Sequence, residues 1–325
     1  MKLSAQQILP PCLNRAALFK LTPVLTIIPL LIPARDSGCH SVVRLLPHTL
    51  LRDTVRMSTT KDIVERPMNI RALHERMGRV YHQPVRVRSF TNKRFTVNFR
   101  VPLEQLRRIV PNPVELDEIR DTGMGLLSMC ACDFWVSRLG WLPIPTVRNN
   151  DMLCRISAKV RKAGQRYRAY YTLRSDSSSH FLGFFGRRFS HFRKQVSPFI
   201  RIDDSDRYPL ECHATEPLGR GRFLAQMSSI NKEKPVTTIF RDIDEAKEFV
   251  FDLDGSCGYD YGSDRLSFQK IDYPPWDLYF CHEYQYTFQM IDYLCDQFGI
   301  HAELDCVLFM QNTKQTWGTS WLYRY

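Results

Sequence analysis

The stretch that decides the fold is Thr91–Asp117, which reads TNKRFTVNFRVPLEQLRRIVPNPVELD. Apolar side chains occupy every second position over Phe95–Val101, and Thr, Asn and Arg stand between them. This alternation predicts a half-buried strand. Pro102 then opens a short helix, because proline suits the first helical turn, and Pro111 ends it. A strand that leads directly into a short helix is therefore the first predicted unit.

Strand patterns continue along the chain. Leu126–Val136 is apolar on both faces and predicts a central strand. Ile156–Val160 and Tyr167–Leu173 alternate on either side of the turn sequence KAGQ, which predicts a hairpin. The other face of this hairpin carries six cations, and we expect an exposed basic sheet face. Its members are Arg155, Lys159, Arg161, Arg166, Arg168 and Arg174.

Helical patterns are few. Ile243–Val250 predicts a helix with Asp242 as its N-cap, and a second helix is predicted from about Tyr286 to Phe298, with Gly299 ending it. Many strands and few helices indicate a β-rich α+β fold. We expect a curled antiparallel sheet or a cone-like β-barrel with a few short helices.

The net charge of +11 is unevenly distributed. Ser157–Arg201 contains eleven Lys and Arg against one acid, whereas the chain from Arg241 onward contains fifteen acids and six bases. The overall charge therefore says little about partners. Nucleic acid is not the expected partner of the basic hairpin, because no RNA- or DNA-binding motif accompanies it. A nucleic-acid or acidic-partner binder remains the third hypothesis for function.

The first 56 residues are expected to lie outside the fold. They contain an apolar run, Leu21–Ala34, which is too short and too rich in proline to form a stable membrane insertion. They suit a mitochondrial presequence, a cleaved signal, or translation upstream of a true start at Met57. We therefore expect a dispensable segment 1–56, a lead-in 57–89 and one domain 90–325.

Ten cysteines have irregular spacing and include no C-x-x-C pair, which favours reduced thiols and an intracellular, cytoplasmic protein, or a mitochondrial one if residues 1–56 are a presequence. The sequence also lacks the phosphate-binding loop, the nucleophile elbow and the H-E-x-x-H zinc motif. We accordingly expect no metal and no cofactor. Whether the chain forms a homo-oligomer is left open.

The segment Gly183–Phe199, GFFGRRFSHFRKQVSPF, mixes cations with phenylalanines. Its aromatics follow a strand-like alternation. An amine attacks a carbonyl only when it is neutral, and burial or a nearby cation favours the neutral form. Lys194 follows Phe192-Arg193, so both influences are available to it. By itself, however, this pattern is more typical of a surface lysine.

Three segments resemble the acetoacetate decarboxylase-like superfamily, including its functionally uncharacterised branch. Thr91–Asp117 resembles the N-terminal strand, helix and VP-x-P-x-E-x-D element of these proteins. Gly186–Gln195 aligns without a gap with the element that carries their Schiff-base lysine. Tyr273–Leu278, YPPWDL, resembles a segment of the uncharacterised branch. The resemblance covers residues 90–325 and implies the fold described above.

The resemblance also implies roles for individual residues. Lys194 stands at the nucleophile's position, whereas the second lysine of the family's pair is Gln195 here. Asp151 is the carboxylate nearest to the family's catalytic Glu, and Asp133 is the alternative. The expected carboxylate-binding cations are Lys93, Arg94, Arg100 and Arg193.

Two functions follow from this set of residues. The first is a cofactor-independent lyase or decarboxylase in which Lys194 forms a Schiff base with a small oxo-acid. The alternative is a non-catalytic protein that binds a small carboxylate or other small molecule on the same scaffold. The fold alone does not carry the activity.

Overall fold

The alternating segment around Phe95 forms a long strand, as predicted. The computed structural model describes residues 70–77, 80–202, 204–236 and 238–324. The strands are β1 (Val87–Pro102), β2 (Glu115–Leu116), β3 (Met124–Leu139), β4 (Leu142–Lys162), β5 (Gln165–Ser177), β6 (Lys194–Val196), β7 (Phe199–Arg201), β8 (Arg207–Cys212), β9 (Gly221–Gln226), β10 (Ile230–Asn231), β11 (Gly255–Asp260), β12 (Arg265–Asp272), β13 (Tyr279–Cys281), β14 (Tyr284–Phe288) and β15 (Glu303–Arg324). The helices are α1 (Ile70–Met77), α2 (Leu103–Leu106), α3 (His180–Phe189), α4 (Ile243–Val250) and α5 (Gln289–Phe298), with single 3-10 turns at Pro217–Gly219 and Met227–Ser229.

The larger sheet curls back on its first strand. Its pairings run in the order β1-β3-β4-β5-β11-β12-β15, and β15 pairs again with β1. Most neighbours are antiparallel, but β5 pairs in parallel with both β6 and β11, so the sheet is mixed. The predicted β-rich α+β class with a curled sheet and short helices is confirmed.

The core lies between this sheet and a second one, ordered β14-β9-β8-β7. Phe95 on β1 is fully buried, and its ring centroid lies 4.9 Å from that of Tyr208 and 5.0 Å from that of Phe223. The opposite face of β1 contributes to the site described below. Strand β1 therefore turns one face to the core and the other to a cavity.

Several local predictions are confirmed. The hairpin turn falls at Ala163 and Gly164, both with positive φ, as a tight two-residue turn between twisted strands requires. Helix α4 has the predicted bounds, and the Asp242 carboxylate accepts a hydrogen bond from the Glu245 N–H. Gly299 ends α5 in the left-handed conformation, although α5 begins at Gln289, later than predicted.

The expected exposed basic face of the hairpin is wrong for four of its six members, since only Arg161 and Arg166 are exposed. Arg155 and Arg174 are buried, and the other cations pair with acids from elsewhere in the chain. Lys159 and Arg168 bind Asp117, and Arg161 and Arg166 bind Glu115. Acids on neighbouring segments thus offset part of the positive charge of the hairpin, which a local charge count does not show.

The strand-like interpretation of Gly183–Phe199 is also wrong in its first part. Residues up to Phe189 belong to α3, which Ser179 caps by accepting a hydrogen bond from the Leu182 N–H, and the short strand β6 begins only at Lys194. Phe181, Phe185 and Phe189 are four residues apart, the spacing of one helical face.

The described residues belong to one unit, Asp62–Tyr325. The predicted segment 1–56 and part of the lead-in lie outside the described residues. Within the described ranges no helix has the length and apolarity needed to cross a bilayer. All cysteines of these ranges are free thiols, and only Cys295 among them is not fully buried.

Candidate active site

A largely apolar cavity of about 320 Å³ lies between α3 and the inner face of the curled sheet. Strands β1, β3, β4, β5, β6 and β15 contribute side chains to it, and α3 covers one side. Its polar lining residues include Arg94, Cys132, Asp151, Ser175, Lys194 and Gln315, and its apolar ones include Val85, Val87, Val136, Leu139, Phe181, Phe185, Phe189 and Trp317.

Lys194 enters this cavity from the first position of β6. Its Nζ donates hydrogen bonds to Asp151 Oδ2 and, at 3.1 Å, to Ser175 Oγ, and it lies 5.6 Å from the centre of the Phe134 ring. The Lys194 side chain is 12% exposed and that of Asp151 is 8% exposed. An amine and a carboxylate are therefore held together at a site that excludes most water.

Asp151 is held in place by its own partners. Asn149 Nδ2 donates a 2.7 Å hydrogen bond to Asp151 Oδ1. The Asn149 Oδ1 accepts from Ser177 Oγ at 2.8 Å and from the Ser179 N–H at 2.9 Å. Because Ser179 is the N-cap of α3, this network positions the helix and the carboxylate together.

Arg94 supplies a second cation to the cavity, and a β-bulge places it there. The register of β1 against β3 shifts between Thr91 and Lys93, so Asn92 is an extra residue. Val87 and Thr91 line the cavity, and after the bulge the alternation resumes at Arg94 rather than Lys93. The bulge thus decides which of two adjacent cations faces the site.

The Arg94 side chain is buried, yet two of its guanidinium nitrogens are unsatisfied. Nε and Nη1 make no hydrogen bond within the described part of the chain, while Tyr273 bonds to the same guanidinium. Gln315 lies on β15 and pairs with Ser89 of β1. Its Nε2 is another buried donor that has no hydrogen-bond partner among the described residues. Unsatisfied buried donors are costly, and a ligand with acceptor oxygens would satisfy them.

Cys132 lies between Arg94 and Asp151 in the strand register. Burial raises the pKa of its thiol to about 12, and its Sγ lies 3.8 Å from the Asp151 carbonyl oxygen. A thiol with so high a pKa stays protonated at neutral pH and is a poor nucleophile. Lys194 is accordingly the better candidate nucleophile in this cavity.

Asp133 and Lys93 lie away from the cavity. Asp133 accepts hydrogen bonds from the Lys93 N–H at 2.7 Å and from Asn92 Nδ2 at 2.8 Å, and it pairs with Arg201. The neighbouring β3 residues Cys132 and Phe134 line the cavity, so strand alternation turns Asp133 to the other face.

Arg100 and Arg193 also make their contacts elsewhere. Arg100 Nε binds the Glu303 carboxylate at 2.7 Å. Arg193 has a φ of 50° and turns its side chain away from the cavity, donating to the carbonyl oxygens of Thr172 and Tyr259. The structure therefore brings together Lys194, Asp151 and Arg94 from the predicted set.

Several lining residues had no clear signal in the sequence. Ser175 and Gln315 are ordinary polar residues of long strands, and only strand pairing places them beside the site. The phenylalanines of α3 did carry a signal, their spacing of four residues. Among the described residues no group of His, Cys, Asp and Glu side chains could hold a metal ion.

Comparisons with known proteins add similarities of fold. No protein-family model matches the sequence, and a comparison with curated proteins found no match. Among solved structures, the chain is similar to an acetoacetate decarboxylase from Legionella pneumophila, with 11% identity over 73% of this chain and 87% of that one and a TM-score of 0.49. It is similar also to an acetoacetate decarboxylase-like enzyme from Sphingomonas wittichii, with 9% identity, 74% and 94% coverage and a TM-score of 0.48.

A third similar structure is the enduracididine biosynthesis enzyme MppR complexed with pyruvate, with 13% identity, 74% and 90% coverage and a TM-score of 0.48.

Proposed function

We propose that this protein is a cofactor-independent enzyme in which Lys194 forms a Schiff base with the ketone of an oxo-acid. The observation that carries the proposal is the contact of the Lys194 amine with the Asp151 carboxylate inside a mostly apolar cavity. Such a pair supplies both a nucleophile and a group that moves its proton.

The chemistry balances on these two side chains. Asp151 takes a proton from the Lys194 ammonium, and the neutral amine attacks the carbonyl carbon to give a carbinolamine. Asp151 returns the proton to the departing oxygen, and one water leaves as the C=N bond forms. The iminium then accepts the electron pair of the bond between its α and β carbons, which releases carbon dioxide or an aldehyde and leaves an enamine. Protonation of the enamine carbon and addition of one water release the product and regenerate the Lys194 amine.

Arg94 is proposed to bind the substrate carboxylate. Its buried guanidinium has unsatisfied N–H groups and faces the same cavity as Lys194. Arginine donors and a carboxylate form strong charge-assisted hydrogen bonds. Ser175, which accepts from the Lys194 ammonium, would fix the direction of the amine.

Trapping with borohydride tests the proposal. Protein incubated with pyruvate, acetoacetate or longer oxo-acids and then reduced should gain the mass of the reduced adduct on Lys194, located by peptide mass spectrometry. Lys194→Arg should abolish the adduct, and Asp151→Asn should slow trapping at least tenfold. The exposed Lys270 offers the matched control, because Lys270→Arg should trap normally.

A Lys194→Arg protein that is labelled as well as the native one would disprove the Schiff-base proposal. So would labelling that spreads over surface lysines without preference for Lys194.

The second candidate is a non-catalytic binder of small carboxylates, and one observation favours it. The residue beside Lys194 is Gln195, so the second lysine of the family's pair is absent at this position. The Gln195 Oε1 instead accepts a 3.0 Å hydrogen bond from Arg187 at the surface. A binder should retain carboxylate affinity in Lys194→Met and give no adduct with any oxo-acid.

A further inference from the structure

The register of the strands separates a polar end of the cavity from an apolar end. Arg94, Cys132 and Asp151 are neighbours across three strands and form the polar row. Val87 pairs with Leu139 on one side and with Trp317 on the other, and these three form the apolar row. Val87 and Arg94 are seven residues apart on β1, which corresponds to about 23 Å at roughly 3.3 Å per residue.

Helix α3 extends the apolar wall. Phe181, Phe185 and Phe189 project from one face of the helix into the cavity. They are also 39%, 39% and 42% exposed, so they form part of its mouth. Val85, an exposed residue just before β1, lines the same cavity. Aromatic side chains that both line a cavity and reach solvent are suited to an apolar ligand chain that enters between them.

A small oxo-acid would leave most of this space empty. Cavities of about 300 Å³ or more enclose drug-sized ligands, whereas an acid the size of pyruvate would occupy only the polar row. Asp151 is the one acid among the described lining residues, and it is paired with Lys194. The rest of the cavity wall thus favours an apolar part of a ligand over a charged one.

We infer that the ligand is an amphipathic oxo-acid whose carboxylate and carbonyl lie at Arg94 and Lys194 and whose medium-length alkyl or aryl chain lies along the α3 wall. The inference rests on the proposed function for its carbonyl group. The apolar chain of the ligand is inferred only from the strand register and from the residues that line the cavity. A carboxylate that has no ketone should therefore still bind.

The first measurement is the affinity of the full chain for straight-chain fatty acids from propanoate to decanoate by calorimetry, below their micellar concentrations. Each methylene that enters the cavity should tighten binding about fourfold, until the chain reaches the mouth. The second measurement compares borohydride trapping of pyruvate with that of 2-oxooctanoate at equal concentrations. The longer acid should be trapped at lower concentrations, because its additional methylenes tighten binding.

Two neighbouring phenylalanines of α3 provide the matched variants. Phe185 lines the cavity, whereas Phe184, which is 53% exposed, is not among the lining residues. Phe185→Ala should weaken octanoate binding about tenfold and leave propanoate binding unchanged. Phe184→Ala should leave both unchanged. Both substitutions alter side chains that reach solvent, so the buried core stays intact in each variant.

The outcomes separate this inference from the proposed function. Affinity that does not change with chain length, or equal losses in the two variants, would overturn the inference. Affinity that rises with chain length without any trapped oxo-acid would support the apolar wall and disprove the Schiff base. Efficient trapping of pyruvate together with flat chain-length dependence would support the Schiff base and disprove the apolar ligand.

Discussion

Arg174 shows how one buried cation joins separate segments of the chain. Its Nε and Nη2 bind both oxygens of Asp176 at 2.7 and 2.9 Å, and its Nη1 pairs with Glu216. Arg174 and Asp176 are each only 3% exposed. Asp176 also accepts a 2.8 Å hydrogen bond from Ser197 Oγ, just beyond β6. This cluster supports the strand that carries Lys194.

Arg174→Met should therefore destabilise the fold by about 3–5 kcal/mol, because it leaves the Asp176 carboxylate buried without its cation. Urea unfolding followed by circular dichroism measures this. Arg100→Met is the matched control, since the Arg100–Glu303 pair is 35% and 44% exposed and exposed pairs contribute little to stability. Equal losses in the two variants would contradict the assignment of Arg174 as a buried structural cation.

The sequence alone could point to a residue where a motif fixed its position, but not where the pairing of strands decides which side chain faces the cavity. The motif Gly186–Gln195 pointed to Lys194, and the alignment with the family's catalytic Glu suggested Asp151. In the structure the two side chains contact each other in the cavity. The sequence offered no means to choose between Lys93 and Arg94, because the choice depends on the extra residue Asn92 in one pairing of β1. A bulge is a property of two strands, and one strand's sequence does not specify it.

At the scale of elements, the contact of α3 with β6 depends on small residues. A Cβ at Gly183 would collide with Val196, and a Cβ at Gly186 would lie 2.5 Å from Lys194 Cδ. These glycines are three residues apart and share one helical face. The helix can therefore lie directly on the strand that carries the amine.

Gly186→Ala should displace the Lys194 side chain and reduce borohydride trapping at least tenfold. Alanine is a better helix former than glycine by about 1 kcal/mol, so a general loss of stability is not the expected cause. Trapping rates and urea midpoints should be measured together. Gly262→Ala, at a loop position where the nearest atom is 3.5 Å away, is the control. Unchanged trapping in Gly186→Ala would show that Lys194 does not depend on this contact.

The sequence predicted elements best where one signal dominated. Helix α4 has a capping aspartate and a helical pattern, and the hairpin of β4 and β5 has a turn sequence between alternating strands. Helix α3 lacks acidic residues in its first turn and is crowded with aromatics that suit strands as well as helices. Its burial against β6 and the sheet, which is a tertiary effect, selects the helix.

At the scale of the whole molecule, two buried histidines make stability depend on pH. Burial and the nearby Arg193 cation lower the pKa of both His74 and His191 from 6.5 to about 3. His191 Nε2 lies 2.8 Å from Ser256 Oγ, and His74 packs against the rings of Tyr171 and Tyr261. Both rings are therefore neutral in the folded protein at neutral pH.

Because these pKa values are depressed on folding, their stabilisation is fully present above pH 6.5 and is lost as the pH falls toward 3. The free energy of unfolding should drop by about 2–3 kcal/mol between about pH 7.5 and 5.5, roughly half from each histidine. Urea unfolding at both pH values measures this drop, and His191→Gln should reduce it by about half. Equal stability of the native protein at both pH values would contradict the buried neutral histidines.

The order of strands in the curled sheet bears on how the protein is made. β1 is the first of the described strands to leave the ribosome, yet one of its two partners, β15, is the last of them. Until β15 emerges, the nascent chain holds an unpaired edge on β1, and the cavity lacks Gln315 and Trp317. Such long-range closure is slow, and an exposed edge attracts other chains. The cavity is thus completed only when β15 emerges, and until then the edge of β1 stays open to pairing with other chains.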